Sequence, residues 1–170
     1  MSQARARITL DLPINDVWQR LRNLGCAHCY VPGIKATAFT TAQREGVGTS
    51  RTVTRAGGAT LQETVIDWQD GRGFTLRLHK GDKDAPFANA RFIYSITAIG
   101  DHQTRLDTTM EYTPPMGKVG RWLDRVILHR IITGIVGDVA ASLKHFHETG
   151  ITPSAGQRRA LRGALERRGD

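Results

Sequence analysis

Apolar and polar residues alternate from Arg5 to Pro13, with Ile8, Leu10 and Leu12 on one face, which is the period of a half-buried strand. The period then lengthens. Ile14-Asn15-Asp16 offers an N-cap ahead of Val17, Trp18, Leu21 and Leu24, whose spacing marks one face of a helix that Gly25 stops. Pro32-Gly33 breaks regular structure between Cys26 and Ile34, leaving a short helical turn and a loop. Six strand-like runs follow, at Lys35–Thr41, Val47–Arg55, Thr60–Trp68, Gly73–His79, Phe87–Ile99 and Thr104–Thr113. Turns such as Ala56-Gly57-Gly58, Asp70-Gly71 and Gly100-Asp101 separate them, and connections this short imply an antiparallel meander.

Pro114-Pro115 ends the last run, and a helical pattern then extends from Gly117 to Thr149, about 50 Å if continuous. Val119, Trp122, Leu123 and Val126 share one side of it, whereas Leu128, Ile132, Ile135, Val139, Leu143 and Phe146 stripe a nearly opposite side. Gly134 and Gly137 lie near that change of face and each costs about 1 kcal/mol relative to Ala. They either permit a bend or leave room beside the helix. The pattern is α+β: a curved antiparallel sheet of about seven strands wrapped around a long C-terminal helix, with one or two short helices after strand one. Aromatic residues are only 6% of the chain, too few to plug a strongly curved sheet, so an internal cavity of the kind that holds apolar small molecules is expected.

Composition narrows the reading. The 170 residues, 39% hydrophobic and 24% charged, fit one packed domain over residues 1–150, followed by a basic, flexible tail over 151–170. No stretch reaches the roughly 20 apolar residues of a membrane helix and no signal-peptide run opens the chain, so a cytoplasmic location is expected. The formal charge of +8 raises nucleic acid as a partner. Five of the basic residues, Arg158, Arg159, Arg162, Arg167 and Arg168, stand in the tail against Glu166 and Asp170. The others are scattered without the aromatic interleaving of a base-stacking surface, so no specific nucleic acid is expected. A weak contact of the tail with anionic membranes is the milder expectation.

The residues Val17-Trp18, Tyr30-Val31-Pro32-Gly33-Ile34, Gly46-Val47-Gly48-Thr49-Ser50-Arg51 and Leu61-Gln62-Glu63-Thr64, followed by the final long helix, resemble the helix-grip superfamily. That superfamily includes START domains, birch-pollen-allergen proteins, plant abscisic-acid receptors and bacterial polyketide cyclase/dehydratase-type proteins. The resemblance covers about Arg7 to Thr149. It implies a hydrophobic ligand held between sheet and helix, with enzymatic activity in a minority of members. It also implies an inward acidic residue at Glu63 and a ligand-facing lysine at Lys35.

Strand register decides which other side chains face the interior, because a slip of one residue turns them all over. A two-residue Gly57-Gly58 turn pairs Thr52 with Glu63. A connection from Ala56 to Thr60, favoured here, pairs Val53 with Glu63, sets Arg51 diagonally on the same face and gathers Val53, Leu61 and Val65 toward the core. Arg51 and Lys35 are then candidate partners for Glu63, since an unpaired buried carboxylate is costly. Arg51–Glu63 as a plain structural ion pair and Lys35 as a solvated residue stay open beside that reading. Alternation further places Phe74 and Leu76, Phe92 and Tyr94, and Met110 inward, opposite Ile131, Ile135 and Val139.

These residues support a binding module in which Lys35, Arg51 and Glu63 orient a lipid, polyketide or aromatic ligand. The alternatives are a cyclase or dehydratase with Glu63 or Tyr94 moving protons and a lipid or quinone chaperone docked through the tail. Cys26-Ala27-His28-Cys29 follows a helix rather than a strand, the wrong context for thioredoxin-type chemistry, and no second ligand pair completes a zinc site. No cofactor or metal is called for, and monomer and homodimer both remain open.

Overall fold

A computed structural model describes residues 1–114 and 127–165. Strand β1 (Ser2–Leu10) starts ahead of the alternating run and buries Ala4, Ala6, Ile8 and Leu10. Helix α1 (Ile14–Leu21) opens at Pro13, not at Asn15 or Asp16. Pro13 suits a helix start because its missing N–H is no loss there, and Asp16 instead lies in the first turn, where its charge favours the helix dipole. Val17, Trp18 and Leu21 form its buried face. Leu24 belongs to a separate 3-10 turn, Leu24–Cys26, capped by the Asn23 side chain, which accepts the Gly25 N–H at 3.2 Å. The four-residue helix α2 (Ala27–Tyr30) follows.

Strands β2 (Ile34–Phe39), β3 (Ser50–Arg55), β4 (Thr60–Gln69), β5 (Gly73–Lys80), β6 (Lys83–Asp84), β7 (Ala88–Gly100) and β8 (Gln103–Thr113) complete the sheet. All pairings are antiparallel in the order β1-β8-β7-β5-β4-β3-β2, with the two-residue β6 on β5. The meander holds from β2 onward, and β1 closes onto the last strand. The β3–β4 register differs from the expected one. Arg51 stands directly opposite Glu63 and Val53 opposite Leu61, because the turn is closed by Arg55 accepting the Gly58 N–H and donating to Ala59. The turn centre therefore lies one residue earlier, which moves the pairing by two and keeps every side chain on its expected face. A bulge between Val65 and Asp67 leaves Ile66 exposed and brings Trp68 back to the inner side.

Helix α3 (His129–Thr149) packs on β1 and β8 and buries Ile132, Val136, Val139, Ala140 and Leu143. The expected start at Gly117 and the side formed by Val119, Trp122, Leu123 and Val126 lie outside the described residues. Ile131 and Ile135, expected to face inward, are 54% and 48% exposed. The helix turns its Ile132–Val136–Val139 face to the sheet, and a neighbour one position away is rotated by about 100°. Gly134 and Gly137 make room for the chain's own C-terminal segment. A Cβ on Gly137 would meet Leu165 at 3.1 Å, and Arg162, near Gly134, grips Asp138 with two hydrogen bonds of 2.6 Å. Within the expected flexible tail, residues 155–161 form helix α4 (Ala155–Leu161), opened by a Ser154–Gln157 capping box. No helix among the described residues is long and apolar enough to cross a membrane.

Candidate functional site

The two ends of the inner sheet surface are filled differently. Under α1, Trp18 meets Trp68 at 5.1 Å and Trp68 stacks on Phe74 at 5.6 Å with an interplanar angle of 16°. The Trp18 indole donates to Asp70 at 3.2 Å. Three large rings occupy that end. Phe74 and Leu76, read from alternation as cavity wall, do point inward but are packed core, 2% and 1% exposed. The remaining end, between the sheet and the first turns of α3, holds a cavity of about 280 Å³, near the lower end of the usual range for small-molecule sites.

Its walls come from Val53 on β3, Leu61 on β4, Leu78 on β5, Phe92 and Tyr94 on β7, Met110 on β8, and Ile132 and Val139 on α3. Val31, Ile34, Pro86, Phe87, Leu128, Ile131 and Ile135 complete the lining. The expected residues Phe92, Tyr94, Met110 and Val139 thus line the cavity directly, while Ile131 and Ile135 stand at its exposed margin. Two of its lining residues carry a charge, Glu63 and Arg55.

Glu63 is held from behind. Arg51, only 1% exposed, donates through Nε to Glu63 Oε2 at 2.7 Å, and its Nη2 lies 2.6 Å from the same oxygen. A third contact runs from Arg51 Nη1 to the carbonyl of Leu24. Burial opposes the Arg51 charge, but attraction to Glu63, reinforced by the phenol oxygens of Tyr30 and Tyr94, outweighs it and raises the guanidinium pKa above its ordinary value. Tyr94 is fully buried, and its phenol is pushed well above the ordinary value, first by burial and then by Tyr30 and Glu63. Burial does the same to Tyr30 against the pull of Arg51. The phenols therefore remain neutral donors at physiological pH, with no capacity to act as bases there.

Lys35 takes no part in this arrangement. The β2–β3 register slips between Ile34 and Ala36, the bulged Lys35 is exposed, and the cavity lining does not include it. Arg55 occupies the cavity margin instead. It is exposed and also borders a groove of about 280 Å³ with Pro32, Gly33, Ile135 and Asp138. Asp138 is already committed to Arg162.

Sequence reasoning missed Tyr30, Arg55, Leu61 as wall rather than core, Leu78 and Ile132. Alternation from Val53 points to Arg55, and alternation from Leu76 points to Leu78. Nothing local points to Tyr30, whose inward aim depends on how α2 docks. Among the described residues no cluster of His, Cys, Asp and Glu is arranged to hold a metal ion. Cys26 and Cys29 are free thiols.

An antiparallel sheet gripping a long C-terminal helix, with an apolar cavity between them, defines a helix-grip protein. The chain belongs to the family described as polyketide cyclase / dehydrase and lipid transport, whose model matches residues 1–148. That membership supports a hydrophobic ligand-binding or cyclase role. Its fold is similar to that of an uncharacterized protein from Bacillus thuringiensis, with a TM-score of 0.68, 16% identity and coverage of 86% of this chain and 99% of that one. A protein from Thermus thermophilus gives 0.67 at 18% identity, covering 88% and 99%. The Zhui aromatase/cyclase from Streptomyces gives 0.62 at 11% identity, covering 88% and 97%. Among the curated proteins none matches at a significant level.

Proposed function

We propose that the protein encloses an apolar small molecule carrying one acidic group, with the apolar body in the cavity between sheet and α3 and the acid at Arg55. The observation that supports this best is the charge distribution of the cavity. Its walls are apolar, the Glu63 carboxylate is neutralised by Arg51, and Arg55 has no ion-pair partner among the described residues. Burial of the ligand's apolar surface supplies affinity at about 25 cal/mol per Å², and Tyr94 offers a neutral hydroxyl to a carbonyl or hydroxyl group. Binding is favoured over proton-transfer catalysis because the Glu63 carboxylate, the best candidate for a proton shuttle, is bound by Arg51.

Displacement of an environment-sensitive dye by decanoate and by decanol tests the proposal. Both displace the dye from the intact protein, and Leu61→Trp, which fills the cavity, abolishes this while circular dichroism stays unchanged. Arg55→Gln weakens decanoate about tenfold, the effect of losing one charge-assisted hydrogen bond, and leaves decanol unaffected. Failure of both compounds to bind overturns the cavity reading. Equal loss for both in Arg55→Gln overturns the assignment of the acid to Arg55.

A further inference from the structure

The segment between α1 and β2 carries chemistry that the cavity does not use. Cys26 is the residue before α2, with non-helical φ −102° and ψ 22°, and Cys29 follows three positions later on the same turn. Positions three apart on a helix are neighbours, and the Cys29 thiol feels that of Cys26 electrostatically. Asn23 Nδ2 donates to Cys26 Sγ at 3.6 Å. Cys26 also lines a cleft of about 400 Å³ between α1 and the C-terminal end of α3, bordered by Gln19, Arg20, Asn23, Phe146 and Glu148. Cys29 does not line that cleft. The arrangement has one thiol on a polar cleft and a second, half-buried like the first, three positions further along the same turn.

We infer that Cys26 and Cys29 form a reversible dithiol–disulfide site that reacts with small disulfides of the glutathione class through the α1–α3 cleft. Cys26, as its thiolate, attacks one sulfur of the small disulfide and expels one small thiolate, leaving a mixed disulfide on Cys26. Cys29 then releases its proton to solvent and attacks Cys26 Sγ, expelling the second small thiolate and closing the intramolecular bond. Two protein thiols are oxidised and one small disulfide is reduced to two thiols, so electrons balance. The order follows from access to the cleft, which Cys26 lines and Cys29 does not. It is consistent with a Cys29 thiol raised to about 11 by burial and by its contact with Cys26, which makes it a poor first nucleophile.

The location links this chemistry to the cavity. Leu24, two residues before Cys26, gives its carbonyl to Arg51, and the buried phenol of Tyr30, directly after Cys29, feels the charges of Arg51 and Glu63. Closing the Cys26–Cys29 bond constrains the segment that holds the Arg51–Glu63 pair from below.

The test treats the full chain with oxidised glutathione in tenfold excess over reduced glutathione, quenches with N-ethylmaleimide and reads the intact mass. The expected product of the native protein has lost two hydrogens and takes no maleimide. Cys29→Ser stops at a single glutathione adduct on Cys26, and Cys26→Ser gives neither product. Full alkylation of both thiols in the native protein overturns the inference, as does adduct formation on Cys26→Ser to the same extent as on Cys29→Ser. Affinity for a cavity-bound dye changes at least threefold between the reduced and oxidised forms. A fully formed disulfide with unchanged dye affinity overturns the link to the cavity while leaving the thiol chemistry.

Discussion

His147 sits in the last turns of α3, fully buried, and neither ring nitrogen has a hydrogen-bond partner among the described residues. Burial first, and then the nearby positive charge of Arg20, which donates to the His147 carbonyl, together lower its pKa from 6.5 to about 4. The consequence for stability has a definite sign. Above pH 6.5 the imidazole is neutral in both states and contributes nothing to the pH dependence. Between pH 6.5 and 4 the unfolded chain binds a proton that the folded chain refuses, so folding stability falls as pH falls. Below pH 4 both states bind it and the loss is complete. At about 1.4 kcal/mol for each tenfold change in proton affinity, the whole loss is about 3 kcal/mol, and most of it is present by about pH 4.5. That is a large fraction of the stability of a domain this size. Urea unfolding at pH 7.5 and pH 4.5 measures it for the native protein and for His147→Leu. Other groups titrating in this window are common to both proteins and cancel in the comparison. Asp11 and Asp84, held below the usual 3.8 mainly by hydrogen bonds from Gln103 and Arg77 respectively, lose their contributions at lower pH still. The native protein loses about 2–3 kcal/mol more than His147→Leu on acidification. Equal losses in the two proteins, or a His147 resonance that titrates near 6.5, refute the reasoning.

Other changes test the frame around the cavity. Glu63→Gln leaves the buried Arg51 guanidinium without its counter-charge and lowers stability by about 3–5 kcal/mol, as removal of one member of a buried pair does; a loss below about 1 kcal/mol in denaturant unfolding contradicts the structural role. Gly73 has φ +145°, and a Cβ there would stand 2.0 Å from the carbonyl oxygen of Tyr94. Gly73→Ala therefore costs at least about 2 kcal/mol and reduces dye binding through the displaced Tyr94 strand; a melting temperature equal to the native one counts against it. Ending the chain at Ser154 removes the Arg162–Asp138 pair and the Leu165 contact at Gly137. The expected loss is about 1–2 kcal/mol in urea unfolding, since the ion pair is half exposed and Leu165 only partly buried. An unchanged unfolding midpoint would show that this segment does not hold α3.

The sheet was legible in the sequence because its strands alternate and its turns are short and rich in glycine and aspartate. Inward faces could be read for Val53, Phe92, Tyr94 and Met110 without knowing the turn centre, since a two-residue shift preserves the face. What alternation does not contain is depth along a strand. Phe74, Leu76 and Leu78 share one face of β5, yet only Leu78 reaches the cavity, because Trp68, packed against Trp18 from α1, stacks on Phe74 at the other end. Lys35 escaped the same logic through a bulge, which removes one residue from the alternation. On α3, the apolar stripe already held Ile132 and Val139, but a stripe does not give the rotation at which the helix docks, and Ile135 at its edge is left half-exposed. The role of Gly137 depended on Leu165, which lies 28 residues further along the chain.

The few large aromatic side chains explain both the existence and the placement of the cavity. Trp18, Trp68 and Phe74 pack together at the α1 end, and Phe92 and Tyr94, 4.8 Å apart, form one wall beyond them. The space left under α3 is bounded by aliphatic chains. A charged side chain facing such a space would be unstable unless compensated from within the protein. Arg51 supplies that compensation to Glu63, and the Leu24 carbonyl takes up one of its remaining N–H groups. The floor is consequently polar but close to neutral, bordered by the undissociated Tyr94 phenol. In the proposed binding mode, recognition of a ligand's charge falls to Arg55, at the exposed margin of the cavity, where it has no ion-pair partner among the described residues. This division explains why Glu63→Gln and Arg55→Gln should separate cleanly, the first read in unfolding and the second in the affinity for an acid over its alcohol.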